Sequence, residues 1–249
     1  MEHPSISCLT YNIHKGFSLG NRDYVLDAIR QSIRATGADL VALQEVQGEH
    51  HGHASRIDNW HREAHFEYLA DSVWDHYSYG KNAIYQEGHH GNALLSKHPF
   101  LSVFNQDISQ WRFSQRGLLH GRIQVPGHRA IQVACVHMGF LPYEQWRQTQ
   151  KLGRWLQQLS PSDPVILMGD MNDWSRRIHR YLQRKFGVKE ATQQKFGRLQ
   201  ATFPSLQPAL SLDRIYYKNL YLEQCEVLHG KPWETLSDHC PVYAKFLLN

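Results

Sequence analysis

The 249-residue sequence predicts an α/β chain in which two β-sheets pack together and carry helices on their outer sides. Three observations point there. Apolar strand-like runs outnumber helical ones, and several are joined as hairpins. The chain opens strand, helix, strand. Strand-rich segments recur in both halves, each with helices, and no linker or shift of composition separates them. Residues 1–249 are therefore expected to form a single domain.

The elements follow in order. "ISCLTYNI" (6–13) is rich in β formers and reads as a strand. "NRDYVLDAIRQSIRATG" (21–37) reads as a helix: Leu26, Ile29 and Ile33 recur at helical spacing, Asn21 can cap the start, and Gly37 can end it. "ADLVALQEV" (38–46) is a short buried strand. Residues 47–66 are polar and His-rich before turning helical. "GNALLSKHPF" and "LSVFNQDI" (91–108) read as two strands broken at Pro99. "LLHGRIQV" (118–125) and "RAIQVACVHM" (129–138) flank "PGH", a hairpin signal. Residues 143–159 form a helix with Leu152, Trp155, Leu156 and Leu159 on one face. "DPVILMGDMND" (163–173) is a buried strand ending in carboxylates, and "RRIHRYLQRKF" (176–186) is a short basic helix. Strands at 211–217, 220–228 and 240–248 close the chain.

Composition narrows the function classes. With 41% hydrophobic and 20% charged residues the chain is globular, not disordered. A net charge of +4 permits phosphate-bearing partners without demanding them. Cys8, Cys135, Cys225 and Cys240 form no Cys-x-x-Cys pair, and two of them sit in apolar runs, so a reducing compartment is expected and no disulfide frame. The N-terminus lacks the pattern of a signal peptide and no apolar run reaches membrane-spanning length, so the expected location is the cytoplasm. No protein partner is evident.

Polar residues recur at strand ends. Asn12 follows "LTY", Glu45 follows "VALQ", His137 follows "VACV", and Asp170 and Asn172 follow "VILMG". Asp213 opens "RIYY", and Asp238 with His239 precedes "CPVYAKF". One such residue is ordinarily a turn or a cap. Repeated over most apolar strands, they build one site if those ends share a rim. Glu45, Asp170 and Asp238 are hard oxygen donors, and Asn12 and Asn172 add amide oxygens; the set suits Mg²⁺ or Mn²⁺ rather than zinc. Such an ion offsets charge on phosphoryl oxygens. His239 and His137 can supply a general base and a donor, with Asp213 holding one imidazole in its tautomer.

The ordered set "TYN" (10–12), "LQEV" (43–46), "GNALLSKHP" (91–99), "VHM" (136–138), "GDMND" (169–173), "LDRI" (212–215) and "SDHCP" (237–241) resembles the endonuclease/exonuclease/phosphatase superfamily from residue 6 to 246. The resemblance implies a deoxyribonuclease I-like four-layer α-β-β-α sandwich and a Mg²⁺-dependent phosphoesterase, with Mn²⁺ as substitute. It implies that Glu45 is the principal metal ligand, with Asn12 and Asp238 at or near the metal. Asp170 and Asn172 then position water and phosphate, Asp213 orients the base His239, and His137 contacts the phosphate. A histidine at 137 is similar to the nuclease I and neutral sphingomyelinase branches and unlike the abasic-site enzymes. Arg116 and Asn92 are assigned to a substrate phosphate; for Arg116 a surface salt bridge is the alternative.

The expected reaction is hydrolysis of a phosphodiester, with a phospholipid or another small phosphodiester as substrate. Cleavage of DNA or RNA is the alternative, and a non-catalytic binding module is a third reading, disfavoured because every expected position is filled. Other features carry a bland reading beside a functional one. His50, His51, His53, His61 and His65 invite a zinc site, but a solvated rim loop fits better without Cys or "HExxH". The basic helix is either a phosphate-binding face or an ordinary solvated one. Trp111, Trp174 and Trp233 meet a base or a lipid chain, or cover the core edge.

Overall fold

The computed structural model describes residues 4–248 apart from 51, 53–55, 58, 62 and 86. Among them lie two mixed six-stranded sheets. The first contains β1 (Ser5–Asn12), β2 (Leu40–His50), β3 (His76–Tyr85), β4 (Gly88–Ser96), β11 (Tyr221–Val227) and β12 (Val242–Leu247), in the order β11-β12-β1-β2-β4-β3. The second contains β5 (Phe100–Asp107), β6 (Gly117–Ile123), β7 (Ile131–His137), β8 (Val165–Asp170), β9 (Lys189–Glu190) and β10 (Asp213–Lys218), in the order β5-β6-β7-β8-β10-β9. Each sheet has one parallel pair, β1 with β2 and β7 with β8. A helix bridges each, because parallel neighbours need a crossover. These are α1 (Leu26–Ala35) and α3 (Pro142–Gln158). The remaining helices are α2 (His65–Ala70), α4 (Arg177–Phe186), α5 (Ala191–Phe196) and α6 (Trp233–Leu236), with a 3₁₀ turn at His14–Gly16.

Helices outside and a second sheet inside bury both faces of the central strands, so those strands are apolar almost throughout. Cys8, Leu40, Ala42, Val133, Cys135 and Met168 pack between the sheets. The alternate residues Leu9, Tyr11, Val41 and Leu43 turn outward onto Ile29 and Ile33 of α1. Ala134, Val136 and Leu167 turn outward onto Leu152 and Trp155 of α3 and Leu182 of α4. The result is a four-layer α-β-β-α sandwich.

This topology brings the site residues together. The parallel pairs end at Asn12 opposite Gln44, just before Glu45, and at His137 opposite Asp170. The antiparallel strands β10 and β12 begin at the same edge, with Asp213 opposite Asp170 and Val242 opposite Thr10. Strand exits and strand entrances thus share one rim.

Three local expectations change. The first helix begins at Leu26, not Asn21, and Asn21 does not cap it. Asn21 takes a left-handed φ of 57° in a turn held by the Phe17–Tyr24 bridge. The expected break near Pro99 is present and carries the chain from one sheet to the other. The second strand runs on to His50, beyond the expected 46, paired with β4. β3, which the sequence did not announce, is a sheet edge of mixed exposure with polar residues among its tyrosines. All four cysteines are free and buried. No helix among the described residues is long and apolar enough to cross a membrane.

Candidate active site

The centre of the rim is Asp170, at the end of β8 and 1% exposed. The chain reaches it through Gly169, at φ +142°, where a Cβ would meet the Val136 carbonyl of β7. Only glycine lets the two strands approach so closely here. Asp170 Oδ1 accepts the Asn172 N–H at 3.0 Å. Its Oδ2 accepts from Asn12 Nδ2 at 3.2 Å and lies 3.5 Å from His137 Nε2 and 3.8 Å from His239 Nε2. Asn172 takes a left-handed φ of 47° and donates its side-chain amide to Met138 O, which ties the β8 exit to the β7 exit.

His239 is held from behind. Its Nδ1–H donates to Asp213 Oδ2 at 2.8 Å, and the same oxygen accepts Thr202 Oγ1–H at 2.6 Å. The bond to Asp213 fixes the ring so that Nε2 faces Asp170. Burial opposes a charge on His239, but Asp213 and then Asp170 outweigh it and lift the ring to about 10. Burial raises the Asp170 carboxyl to about 7 against the pull of His239. His137 behaves oppositely: burial, then the nearby Arg116 charge, holds it well below the usual imidazole range. His239 thus favours its protonated form and His137 its neutral form.

Glu45 sits at a bulge in β2, between Leu43 and Val46, with a left-handed φ of 56°. Bulges re-aim side chains, and this one breaks the strand's alternation at the acidic residue. Burial opposes its charge, yet the surrounding His137, Lys15, His90 and His14 hold the carboxyl down at about 2. Of these groups Lys15 makes an ion pair, with Nζ 3.7 Å from Glu45 Oε2. Asp238 faces the same 3₁₀ turn, with Oδ1 3.8 Å from His14 Nδ1. Five buried polar atoms near this rim lack a hydrogen-bond partner: His14 Nδ1, His90 Nδ1, Arg116 Nε, His137 Nε2 and Asp213 Oδ1. Buried polar groups are ordinarily satisfied, so such a cluster marks a place built for a bound polar species.

The sequence profile of the endonuclease/exonuclease/phosphatase family matches residues 9–239, which run from β1 to His239. The chain belongs to this family. It is 41% identical over 245 residues to "Uncharacterized protein YbhP" of Escherichia coli K12, covering 98% of this chain and 97% of that protein. Among solved structures, an endonuclease/exonuclease/phosphatase from Beutenbergia cavernae superimposes with a TM-score of 0.78 at 17% identity, covering 100% of this chain and 72% of that one. TDP2 from D. rerio, complexed with single strand DNA product, gives a TM-score of 0.70 at 16% identity, covering 97% and 98%. At these identities the two structures speak for the fold alone.

In the family frame, the structure brings His239, Asp213, Asp170, Asn172, Asn12 and His137 into one hydrogen-bonded or near-contact group. Glu45 and Asp238 face the turn at 14–16 beside it. Arg116 makes no surface salt bridge among the described residues; its charge bears on His137 and His90. Asn92 bridges the two sheets. It is buried and donates Nδ2 to Gly117 O at 2.9 Å, joining β4 of one sheet to β6 of the other.

His14, Lys15, His90 and Thr202 went unassigned in the sequence. The "HK" directly after "TYNI" was a usable signal, since it follows a strand that ends in a site residue. Thr202 offered none, because it lies in a segment without strand or helix pattern. The zinc reading of the His-rich run does not hold for its last pair. α2 begins at His65, so His61 is outside it. His61 pairs with Asp27 at 2.9 Å, while His65 is fully buried against the Tyr24 hydroxyl. His51 and His53 lie outside the described residues, and so does the side chain of His50. Trp233 covers the core edge, edge-on to Tyr11.

Proposed function

We propose that the chain is a divalent-metal-dependent phosphodiesterase that uses water as its nucleophile. One observation carries the reading: His239, gripped by Asp213, points Nε2 at the Asp170 oxygen that His137 Nε2 also approaches. This is a base, its orienting acid and a neutral donor around one buried carboxylate. In the proposed reaction His239, in its deprotonated form, takes a proton from water at Nε2 while the water oxygen bonds to phosphorus in line. The phosphorus–oxygen bond opposite breaks, and the leaving oxygen gains its proton from solvent. Asp170 and Asn172 hold the water, and His137 donates a hydrogen bond to a non-bridging oxygen. Arg116 adds positive charge beside it.

The donor set fits a hard divalent ion. Glu45 is ionised and makes no hydrogen bond among the described residues; Lys15 faces it and His14 faces Asp238. Glu45, Asp238 and the Asn12 amide would hold Mg²⁺ or Mn²⁺. When bound, the ion supplies charge stabilisation for phosphoryl oxygens. Asp170, Asp213 and His239 also lie within 4.8 Å of one another through ligand atoms, but the Asp213–His239 bond makes that group a proton relay.

The testing experiment is a Mg²⁺ panel of phospholipids, plasmid and single-stranded DNA, RNA and bis-p-nitrophenyl phosphate. Turnover of a phosphodiester, lost in His239→Ala, supports the reading. A folded protein inert on every diester refutes it. Cleavage of nucleic acid alone would favour the second reading, which rests on the basic face of α4.

A further inference from the structure

Three segments that leave the site expose large apolar side chains. The 108–116 loop, which ends at Arg116, carries Trp111 and Phe113, the latter 80% exposed. Phe140 and Leu141 follow the His137 strand directly and are 55% and 50% exposed. Tyr143 and Trp146 stand one turn apart on α3, both open to solvent. The groups are continuous. The Trp111 ring lies 6.1 Å from Phe113 and 6.3 Å from Tyr143, and Trp146 lies 5.4 Å from Tyr181 of α4.

At Tyr181 the apolar strip runs into a cationic face. Trp146, Tyr181, Arg177, Arg180, Arg184 and Lys185 line one open cavity of about 430 Å³. None of these four cations pairs with a carboxylate among the described residues. Arg180 donates to Ser175 O and Lys185 to the Tyr181 hydroxyl. Ile178 and Leu182 face the core instead, so the charges are gathered on the outer side of the helix. Soluble proteins seldom leave so much contiguous apolar surface uncovered.

The chemistry of the strip names its occupant. Apolar tips flanked by unpaired arginines suit a surface with hydrocarbon beneath and negative charge above. Single-stranded nucleic acid would use the charges and the aromatic faces, but Leu141 offers no π-face on which a base could stack. We propose that this face docks the protein on an anionic phospholipid bilayer, with the apolar tips in the acyl boundary and the α4 cations on the headgroups. The site then meets phosphodiesters presented in a membrane. This deepens the phosphodiesterase reading, yet docking needs no turnover and is measured without it.

The test is sedimentation with vesicles of equal parts phosphatidylcholine and phosphatidylglycerol, against phosphatidylcholine alone, in EDTA. Wild-type protein should pellet with the mixed vesicles and lose binding as salt rises. The triple variant Arg177→Gln, Arg180→Gln, Arg184→Gln should bind about a hundredfold more weakly. Phe113→Ser with Leu141→Ser should cost about tenfold per side chain. Circular dichroism checks that each variant folds. Quenching of wild-type tryptophan fluorescence by brominated phosphatidylglycerol reads the same docking without any variant. Absence of both pelleting and quenching overturns the proposal, as does wild-type pelleting by both folded variants. Binding of oligothymidylate but not of vesicles would assign the face to nucleic acid instead.

Discussion

Arg214 and Asp173 form an ion pair in which the side chains are 1% and 0% exposed, directly behind the candidate site. Arg214 Nη1 donates to Asp173 Oδ2 at 2.9 Å and to the Tyr216 hydroxyl at 3.0 Å; Nη2 donates to Asp173 O at 2.8 Å and Ser211 O at 2.9 Å. Asp173 Oδ2 also accepts the His179 N–H, so the pair anchors the start of α4. Arg214→Met removes four hydrogen bonds and leaves a buried carboxylate without its cation. Breaking such a pair costs about 3–5 kcal/mol, which for a chain of this size lowers the unfolding midpoint by roughly 6–20 °C. Asp173→Asn keeps the shape but strands the guanidinium charge, and should cost a similar amount. The double variant should lose about 2 kcal/mol less than the sum, because neither charge is then left alone. Guanidinium unfolding of the four proteins measures all three numbers. An Arg214→Met variant within about 1 kcal/mol of wild type, or a strictly additive pair, would refute the reasoning.

Other expectations are simpler to state. His239→Ala should fold normally and lose about 10²–10⁴ in turnover, measured with bis-p-nitrophenyl phosphate, and near-normal rates would remove the base from His239. EDTA should abolish activity, Mg²⁺ or Mn²⁺ should restore it, and Glu45→Gln should need far more ion; full activity in EDTA would sink the metal assignment. Asp39 accepts the Ser7 N–H, the Ser7 hydroxyl and Lys97 Nζ, at 2.9, 2.7 and 3.1 Å. Against burial, these bonds hold its carboxyl below the ordinary range. Its stabilisation is therefore complete above the unfolded-state value, about 3.9, and fades as pH falls through the lower folded-state value. Asp39→Asn should be less stable than wild type at neutral pH, with the gap closing in acid; a gap independent of pH counts against that account.

The layered fold was legible because strands buried on both faces leave long apolar runs, as "VILMG" and "VACV" do. The rim residues were legible because each interrupts such a run with a polar group. Edges were not: β3 is exposed along much of its length and mixes polar with aromatic residues. The start of α1 was misplaced because a bridge between Phe17 and Tyr24, invisible to local propensity, holds residues 17–24 out of the helix. Thr202 reaches Asp213 from an irregular loop, and no periodicity marks such a residue. Asn92 stood in a motif segment, and only tertiary contact showed that its amide nitrogen bonds across the two sheets.

The pairing of β1 with β12 sets a timetable for synthesis. Ser5 is matched with Leu247, so a strand made at the start of translation has its neighbour only when nearly the whole chain has been made. The second sheet is complete once β10 is made, and its β7–β8 crossover involves shorter separations, so it can assemble while the ribosome is still adding residues. Asp238 and His239 arrive together just before the last strand, after the other rim residues have been made. A chain cut short of residue 238 lacks both Asp238 and His239.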